Sequence, residues 1–280
     1  MTVVLQISDS HFGTERAPVV AALHRLSKAQ APDLVILSGD ITQRALRTEF
    51  EAARDFIDKL NVPATLVIPG NHDIPLFDLV SRFFTPYGRY ARSFGTELEP
   101  VFDSPDLLVI GVNTTRRYRH VQGEVSRAQR DEVAERLRRA RPEQLRIVVT
   151  HQPVHVTRPE DRENLLRGHE EAIRTWAAAG ADLILGGHIH RPSISALHTA
   201  MPDLPRRVWA VQAGTSLSSR IRFDAGNSVN LIRYDAKQPE RCVVERWDYE
   251  DKANAFRLTT AEQLVREVDK MPEQDKTKED

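Results

Sequence analysis

Short apolar runs and helical apolar spacings alternate through the first part of the chain. The apolar runs are typical of buried strands, and they cover Val3–Ile7, Leu34–Leu37 and Thr65–Ile68. Between the first two runs, Val19, Leu23 and Leu26 recur at helical spacing. A second helical spacing extends from Phe50 to Leu60. The order β-α-β-α-β predicts a parallel sheet with crossover helices.

The pattern continues in the middle of the chain and then changes. Further predicted strands follow at Leu107–Val112, Ile147–Val149 and Leu183–Leu185. After Pro192 the helical spacings fade, and three more runs predict antiparallel strands that form a second sheet stacked on the first: Val208–Val211, Val229–Ile232 and Cys242–Trp247. Near the end, Thr260 and Gln263 predict the cap of a short last helix that carries Leu264 and Val268.

No internal repeat or linker divides the chain, so we predict a single domain over residues 1–250. Residues 74–100 stand out because their aromatic residues are interleaved with three arginines. We interpret them as an insertion beside the functional site, and a core-packing helix is the alternative. The insertion suits either a substrate pocket or a homodimer contact. Residues 251–280 are predicted as a C-terminal extension, a short helix followed by a charged, disordered tail over 273–280.

Composition excludes several classes of protein. The net charge of −1 gives no global attraction to nucleic acid, so we expect no stable nucleic-acid complex. Cys242 is the single cysteine, which excludes an internal disulfide and suits a reducing compartment. No apolar run approaches the ~20 residues that span a bilayer. The first residues enter a strand directly and do not resemble a signal peptide, so we expect a cytoplasmic protein.

Polar residues of the types that ligate metals directly follow five of the predicted strands. They are Asp9 and His11, Asp40, Asn71 and His72, His151, and His188 and His190. Ligands of open α/β sheets bind beyond the carboxyl ends of the strands. In Asp-x-His and His-x-His, alternate residues of an extended segment face the same side. We therefore expect these side chains to meet at one edge of the sheet.

The mixture of residue types predicts the chemistry. Imidazole nitrogens with carboxylate oxygens suit Mn, Fe, Zn or Co. Two such ions ~3.5–4 Å apart clamp both oxygens of an in-line phosphoryl displacement. Such a centre needs about seven protein ligands, one of them a carboxylate between the ions. The remaining histidines lie outside this pattern, and we leave them out of the predicted site: His24, His120, His155, His169 and His198.

Taken together, the blocks resemble the calcineurin-like metallophosphoesterase superfamily in their residues and their order. The blocks are Asp9-x-His11, Gly39-Asp40, Gly70-Asn71-His72-Asp73, His151 and Gly187-His188-x-His190. The resemblance covers residues 7 to about 190. It implies a four-layer α/β/β/α sandwich of two mixed sheets flanked by helices, with two divalent metal ions as cofactors.

The resemblance also implies a role for each residue, position by position. The first ion would be bound by Asp9, His11 and His190. The second would be bound by Asn71, His151 and His188, with Asp40 bridging the two. His72 would not ligate a metal; it would stabilise or protonate the leaving oxygen, and Asp73 would orient it.

Within the superfamily, the chain looks most similar to bacterial class III cyclic-nucleotide phosphodiesterases and related phosphodiesterases. One block departs from that subgroup, because Thr150-His151-Gln152-Pro153 lacks the run of histidines that many of its members have. The ligand is retained, but the assignment to a cyclic nucleotide is weakened.

The leading hypothesis is a phosphodiesterase in which a hydroxide that bridges the ions attacks a small-molecule phosphate diester, such as a cyclic nucleotide or a glycerophosphodiester. A phosphomonoesterase or protein phosphatase stays open. A UDP-diacylglucosamine pyrophosphatase typically has Arg where this chain has His72, and a nuclease usually has a basic groove. A non-catalytic scaffold of this fold would lose ligands that this chain keeps. Arg220 or Arg222 either contacts the phosphate or forms a structural salt bridge.

Overall fold

The computed structural model describes residues 1–222 and 224–268 of the chain. The strands are β1 (Thr2–Ile7), β2 (Leu34–Ser38), β3 (Ala64–Ile68), β4 (Val101–Asp103), β5 (Leu107–Gly111), β6 (Leu145–Val149), β7 (Leu183–Gly186), β8 (Ser193–Ala196), β9 (Trp209–Gln212), β10 (Ser228–Tyr234), β11 (Arg241–Glu250) and β12 (Ala255–Val265). The helices are α1 (Ala17–Gln30), α2 (Arg47–Leu60), α3 (Leu79–Phe84), α4 (Gly88–Phe94), α5 (Arg127–Arg138), α6 (His169–Ala179) and α7 (Leu197–Ala200). Short 3-10 turns lie at Asn71–Asp73 and Pro159–Asn164.

The strands form two six-stranded mixed sheets. The first has the order β12-β11-β10-β1-β2-β3, and the second has the order β4-β5-β6-β7-β9-β8. In the first sheet, β1, β2 and β3 are parallel, as the alternating pattern predicted. In the second sheet, β5, β6, β7 and β9 are parallel, with antiparallel strands at both edges.

Three apolar cores separate four layers. One core lies between the first sheet and helices α1 and α2, a second between the two sheets, and a third between the second sheet and helices α5 and α6. Because both faces of each sheet are covered, the central strands are buried along their whole length, and their sequences are apolar runs without alternation. The predicted α/β/β/α sandwich is confirmed.

The sequence assigned the late strands to the wrong sheet. We predicted that the runs after Pro192 form a second sheet of their own. Instead, β9 lies parallel to β7, whereas β10 and β11 extend the first sheet beside β1. An apolar run indicates that a strand is buried but carries no information about its partner. Here the buried side-chain amide of Asn230 in β10 donates to Gln6 Oε1 of β1 at 3.0 Å.

The predicted last helix is also wrong. Thr260, Gln263 and Leu264 lie in β12, which pairs antiparallel with β11 and places Leu264 opposite Cys242, and Val268 lies after the strand. Phe256 and Leu264 are buried near the two ends of the strand, and the residues between them are exposed. Pairing with a ten-residue neighbour outweighed the local helix-cap pattern at Thr260 and Gln263. The predicted charged tail over 273–280 lies outside the described residues.

Residues 74–100 contain one helix that packs on the core, as in the alternative interpretation, and one helix that is largely exposed. Helix α4 packs on the core: the ring of Tyr90 is buried, its centroid is 6.3 Å from that of Phe50, and its hydroxyl donates to Val67 O at 2.8 Å. Helix α3 exposes apolar side chains, including Val80 and Phe84. Among the described residues, no helix is long and apolar enough to cross a membrane.

Candidate metal centre

The predicted polar residues meet where β1, β2, β3, β6 and β7 end. Five of them have left-handed backbone conformations: Asp9 (φ 51°), His11 (φ 44°), Asp40 (φ 48°), His188 (φ 73°) and His190 (φ 53°). This region costs a non-glycine residue roughly 1–2 kcal/mol. Such strain persists only where the surrounding structure imposes it, and it clusters at functional sites.

Two glycines let the loops approach one another closely. Gly39 has φ 90°, and a Cβ at this position would collide with the ring of His151. A Cβ on Gly70 would collide with the backbone of Asp40. The backbone of Gly39 therefore packs directly on a side chain, and the backbone of Gly70 packs directly on another backbone segment. Only glycine permits such close contact at these two positions.

The ligand-type atoms form three overlapping groups, each with its atoms within 4.8 Å of one another. The groups are Asp9, His11 and His190; His11, Asp40 and His72; and Asp40, His151 and His188. Asp40 lies in two of the groups, between the other members. This is the position that a carboxylate shared by two ions requires.

The first group is centred on Asp9. Its Oδ1 lies 3.3 Å from His190 Nε2, and His190 Nε2 lies 3.0 Å from His11 Nε2. The other carboxylate oxygen accepts from Ser8 Oγ at 2.6 Å and from the His188 backbone N–H at 2.9 Å. These bonds fix the orientation of the carboxylate, as hydrogen bonds around metal ligands usually do.

The second group is centred on Asp40 and His151. His151 Nε2 lies 3.2 Å from Asp40 Oδ1 and 3.2 Å from Asn71 Oδ1. His188 packs edge-on against His151, with ring centroids 5.2 Å apart. Its Nδ1 is buried and has no hydrogen-bond partner within the described part of the chain. A buried imidazole nitrogen without a partner is costly in itself, and ligation of an ion removes that cost.

Backbone carbonyls hold three of the histidines. His151 Nδ1 lies 2.9 Å from Ser38 O, and His190 Nδ1 lies 2.7 Å from Arg220 O. His72 Nδ1 lies 2.8 Å from Gln43 O. Because a carbonyl only accepts, each Nδ1 carries the proton and each Nε2 keeps a free lone pair in the neutral ring. For His151 and His190, that lone pair faces the carboxylates.

Burial and neighbouring charges shift the ionisation of these groups. Burial lowers the pKa of His11 to about 3, and burial together with His151 lowers the pKa of His188 to about 4. Burial alone would also lower the pKa of His151, but Asp40 and Asp9 outweigh it and raise this pKa to about 9. Burial opposes ionisation of Asp9 too, yet neighbouring histidines hold its pKa at about 2. Burial thus favours neutral His11 and His188 beside charged carboxylates, whereas the carboxylates favour the protonated form of His151. Imidazole nitrogens mixed with carboxylate oxygens are the donor set that a transition metal takes.

Asp73 does not contact the His72 ring as we expected. Its carboxylate accepts from four donors: the backbone N–H groups of Ile41, Thr42 and Gly70 and the hydroxyl of Thr42, at 2.8–3.1 Å. Burial and the nearby Asp40 raise the pKa of Asp73 to about 6. The carbonyl of Gln43 orients the His72 ring instead. No sequence pattern indicates this contact, because any residue supplies a carbonyl.

Three of the histidines left out of the predicted site differ in their surroundings. His24 packs against Phe56, and His198 against Trp209, both outside the three ligand groups. His120 differs, because its ring centroid lies 6.3 Å from that of His72. It belongs to the loop after β5, which also carries Arg116, Arg117 and Arg119.

The sequence is similar to those of known proteins. The family model described as calcineurin-like phosphoesterase matches residues 2–192. A probable glycerophosphodiester phosphodiesterase GpdQ of Arcobacter nitrofigilis is 26% identical over 204 residues, 68% of this chain and 72% of that protein. A probable cyclic nucleotide phosphodiesterase of a Synechococcus species is 35% identical over 81 residues, 26% of this chain and 31% of that protein.

The fold is similar to those of solved metallophosphatases. A purple acid phosphatase from yellow lupin (Lupinus luteus) superposes with a TM-score of 0.72 at 11% identity, over 95% of this chain and 54% of that one. A dimetal phosphatase from Danio rerio superposes with a TM-score of 0.64 at 12% identity, over 95% of this chain and 99% of that one. At these identities, the likeness concerns the fold alone.

Proposed function

The chain belongs to the calcineurin-like phosphoesterase family, and from this premise we propose that it is a phosphodiesterase that depends on two divalent metal ions. The position of Asp40 carries the proposal. Its carboxylate lies between a group with His11 and a group with His151 and His188, so one carboxylate reaches two adjacent sets of imidazole nitrogens. The unpartnered Nδ1 of His188 supports the second set.

The proposed ligands divide between the two ions as the family resemblance implies. One ion takes Asp9, His11 and His190; the other takes Asn71, His151 and His188; Asp40 bridges them. Mn, Fe, Zn and Co all fit this mixture of nitrogen and oxygen donors. When bound, two such ions lower the pKa of a water molecule and neutralise the charge that grows on the phosphoryl oxygens.

We assign His72 to the leaving group. Gln43 O accepts a hydrogen bond from His72 Nδ1–H, which leaves Nε2 for the substrate. The ring lies beside the first group, with its centroid 4.8 Å from that of His11. A protonated His72 donates from Nε2 to the departing oxygen, a role that typically contributes about 10²–10⁴ in rate.

Asp73 is proposed as a positioning residue. Its four hydrogen bonds tie the Gly70 turn to the loop that follows Asp40. That loop supplies both the bridging carboxylate and the Gln43 carbonyl. Asp73 thereby sets the distance between Asp40 and His72, and His72 N–H donates to Asp40 Oδ1 at 2.8 Å.

The preference for a diester rests on the relatives. Their printed names describe a glycerophosphodiester phosphodiesterase and a cyclic nucleotide phosphodiesterase, both acting on diesters. A phosphomonoesterase is the second candidate, because the metal ligands are equally suited to it. The scaffold and pyrophosphatase alternatives are disfavoured by the complete ligand set and by His72.

Steady-state hydrolysis tests the proposal. Metal-stripped protein is reconstituted with Mn²⁺ and assayed on bis(p-nitrophenyl) phosphate beside p-nitrophenyl phosphate. We expect faster turnover of the diester, lost in Asn71→Ala and His72→Ala and retained in His198→Ala, which removes a histidine far from the ligand groups. Preference for the monoester would replace the phosphodiesterase by a phosphatase, and failure to bind metal would overturn both.

A further inference from the structure

One arginine at the mouth of the metal centre has no anionic partner in the part of the chain that the structure describes. The guanidinium Nη1 of Arg220 lies 3.1 Å from His72 Nε2, 3.2 Å from Gln43 Oε1 and 3.3 Å from His11 Nδ1. None of the three neighbours is a carboxylate. Within residues 1–222 and 224–268, no carboxylate lies at ion-pair distance from this exposed side chain, whereas Arg191 and Arg222 both pair with Asp161.

The backbone of Arg220 is fixed to the ligands themselves. Its carbonyl accepts from His190 Nδ1 at 2.7 Å, and its N–H donates to Ser218 Oγ at 3.1 Å. Ser218 Oγ in turn lies 2.8 Å from Thr215 Oγ1, which donates to Asp9 O at 2.6 Å. The backbone of Arg220 is therefore fixed relative to His190 and Asp9, two members of the first ligand group.

Arg222 differs from Arg220 in this respect. Its Nη1 donates to Asp161 Oδ1 at 2.8 Å and to Ile189 O at 2.9 Å. Asp161 also pairs with Arg191. Arg222 thus holds the loop that carries His188 and His190, and of the two arginines that the sequence singled out, only Arg220 has donors that face the centre.

The charges around Arg220 require an anion once ions are bound. Two divalent ions bring four positive charges, and the two carboxylates Asp9 and Asp40 offset two of them. A guanidinium beside His11 and His72 then faces net positive charge unless an anion lies between. Arginine presents several donors in a planar fork that matches phosphate oxygens. The phosphoryl group of a substrate is the anion that this position fits.

From this arrangement we infer that Arg220 binds a non-bridging oxygen of the substrate phosphoryl group on the His72 side of the centre. The inference rests on the proposed function and goes one step beyond it. In the structure, Nη1 contacts the same His72 Nε2 that is assigned to the leaving oxygen. Substrate therefore draws the guanidinium from His72 to phosphate, which frees Nε2 for the departing group.

The test compares Arg220→Ala with Arg44→Ala in Mn²⁺-loaded protein. Arg44 follows Gln43 in the same loop and is exposed, so its removal deletes an equal charge near the centre without deleting the contact. We expect Arg220→Ala to lower kcat/KM for bis(p-nitrophenyl) phosphate about 10- to 100-fold, the value of a hydrogen bond to a charged group. Arg220→Lys recovers part of the loss, because it restores the charge but not the fork.

A second readout does not depend on turnover. Calorimetric titration with inorganic phosphate should show weaker binding to Arg220→Ala by a similar factor, with the metal content unchanged. Equal losses in Arg220→Ala and Arg44→Ala would overturn the inference in favour of a long-range charge effect. Loss of metal from Arg220→Ala would overturn it in favour of support for His190. If wild-type protein binds phosphate but hydrolyses neither ester, the proposed function fails, and the phosphate titration alone decides the role of Arg220.

Discussion

Strand β7 has a buried cluster of charged residues at each end, and the two clusters behave differently. Asp182 precedes the strand: its carboxylate lies 3.3 Å from the guanidinium of Arg206 and 3.2 Å from that of Arg266, and it accepts from Arg146 N at 2.9 Å. His188 follows the strand and faces Asp9 and Asp40 among histidines. Both ends bury carboxylates beside basic groups, but only one has the donor set for a metal ion.

The type of basic partner explains the difference. A guanidinium has only donors and stays protonated, so at Asp182 the carboxylate is neutralised and every contact is an N–H to oxygen contact. An imidazole keeps one nitrogen lone pair when neutral, and burial keeps His11 and His188 neutral by lowering the pKa of each. The His188 end therefore combines carboxylate oxygens with imidazole nitrogens that can offer a lone pair to a cation. The Asp182 end has carboxylate oxygens only, and guanidinium groups already contact them.

The largest effect should follow from removing the imidazole of His188, which follows β7. In His188→Ala, we expect hydrolysis to fall by at least about 10³-fold, because one ion loses a ligand and with it several kcal/mol of transition-state stabilisation. Metal content should fall below two ions per chain, measured by atomic emission after dialysis. Unchanged metal content with unchanged turnover would show that both ends of β7 are structural.

The second substitution is at Asp182, which precedes β7. Asp182→Asn keeps the volume but removes the carboxylate that pairs with the buried Arg266, and breaking such a buried pair typically costs about 3–5 kcal/mol. We expect a lower urea midpoint with an unchanged slope, and kcat per folded molecule within about twofold of wild type. A fall in kcat with normal stability would contradict the separation of the two ends.

Metal removal should distinguish the two ends of β7 through the free energy of unfolding rather than through the rate of hydrolysis. At a free Mn²⁺ concentration of about 100 times Kd, each ion bound to the folded state adds about 2.7 kcal/mol to the free energy of unfolding. We expect that increment in wild type and in Asp182→Asn, and a much smaller one in His188→Ala. Parallel urea titrations with and without chelator measure it. An equal increment in all three proteins would place the stabilising ion elsewhere.

The smallest effect tests whether burial, and not pairing alone, gives the Asp182 cluster its energy. Arg174 pairs with Asp203 at the surface, where both side chains are largely exposed. We expect Arg174→Ala to change the free energy of unfolding by less than about 1 kcal/mol. A loss comparable to that of Asp182→Asn would mean that the two ion pairs do not differ in kind.

The two ends were not equally predictable from the sequence. The metal ligands follow apolar strands in short loops, so periodicity locates the strands and strand direction places their loops at one edge. The Asp182 cluster depends on Arg266, which follows β12, a strand that local signals assigned to a helix. Its partners come from segments far apart along the chain, and no local pattern joins them. The Gln43 carbonyl beside His72 was missed for a similar reason, since it is a backbone group.

The order of strands in the first sheet bears on how the chain folds while it is being made. β1 pairs with β2 on one side and with β10 on the other, and β10 begins at Ser228, 221 positions after the end of β1 at Ile7. At 5–20 residues per second, synthesis of that interval takes roughly 10–45 s. During this time, one edge of β1 has no partner strand, and unpaired apolar edges are sites of aggregation. A nascent chain of this protein should therefore depend on chaperones until its last strands leave the ribosome.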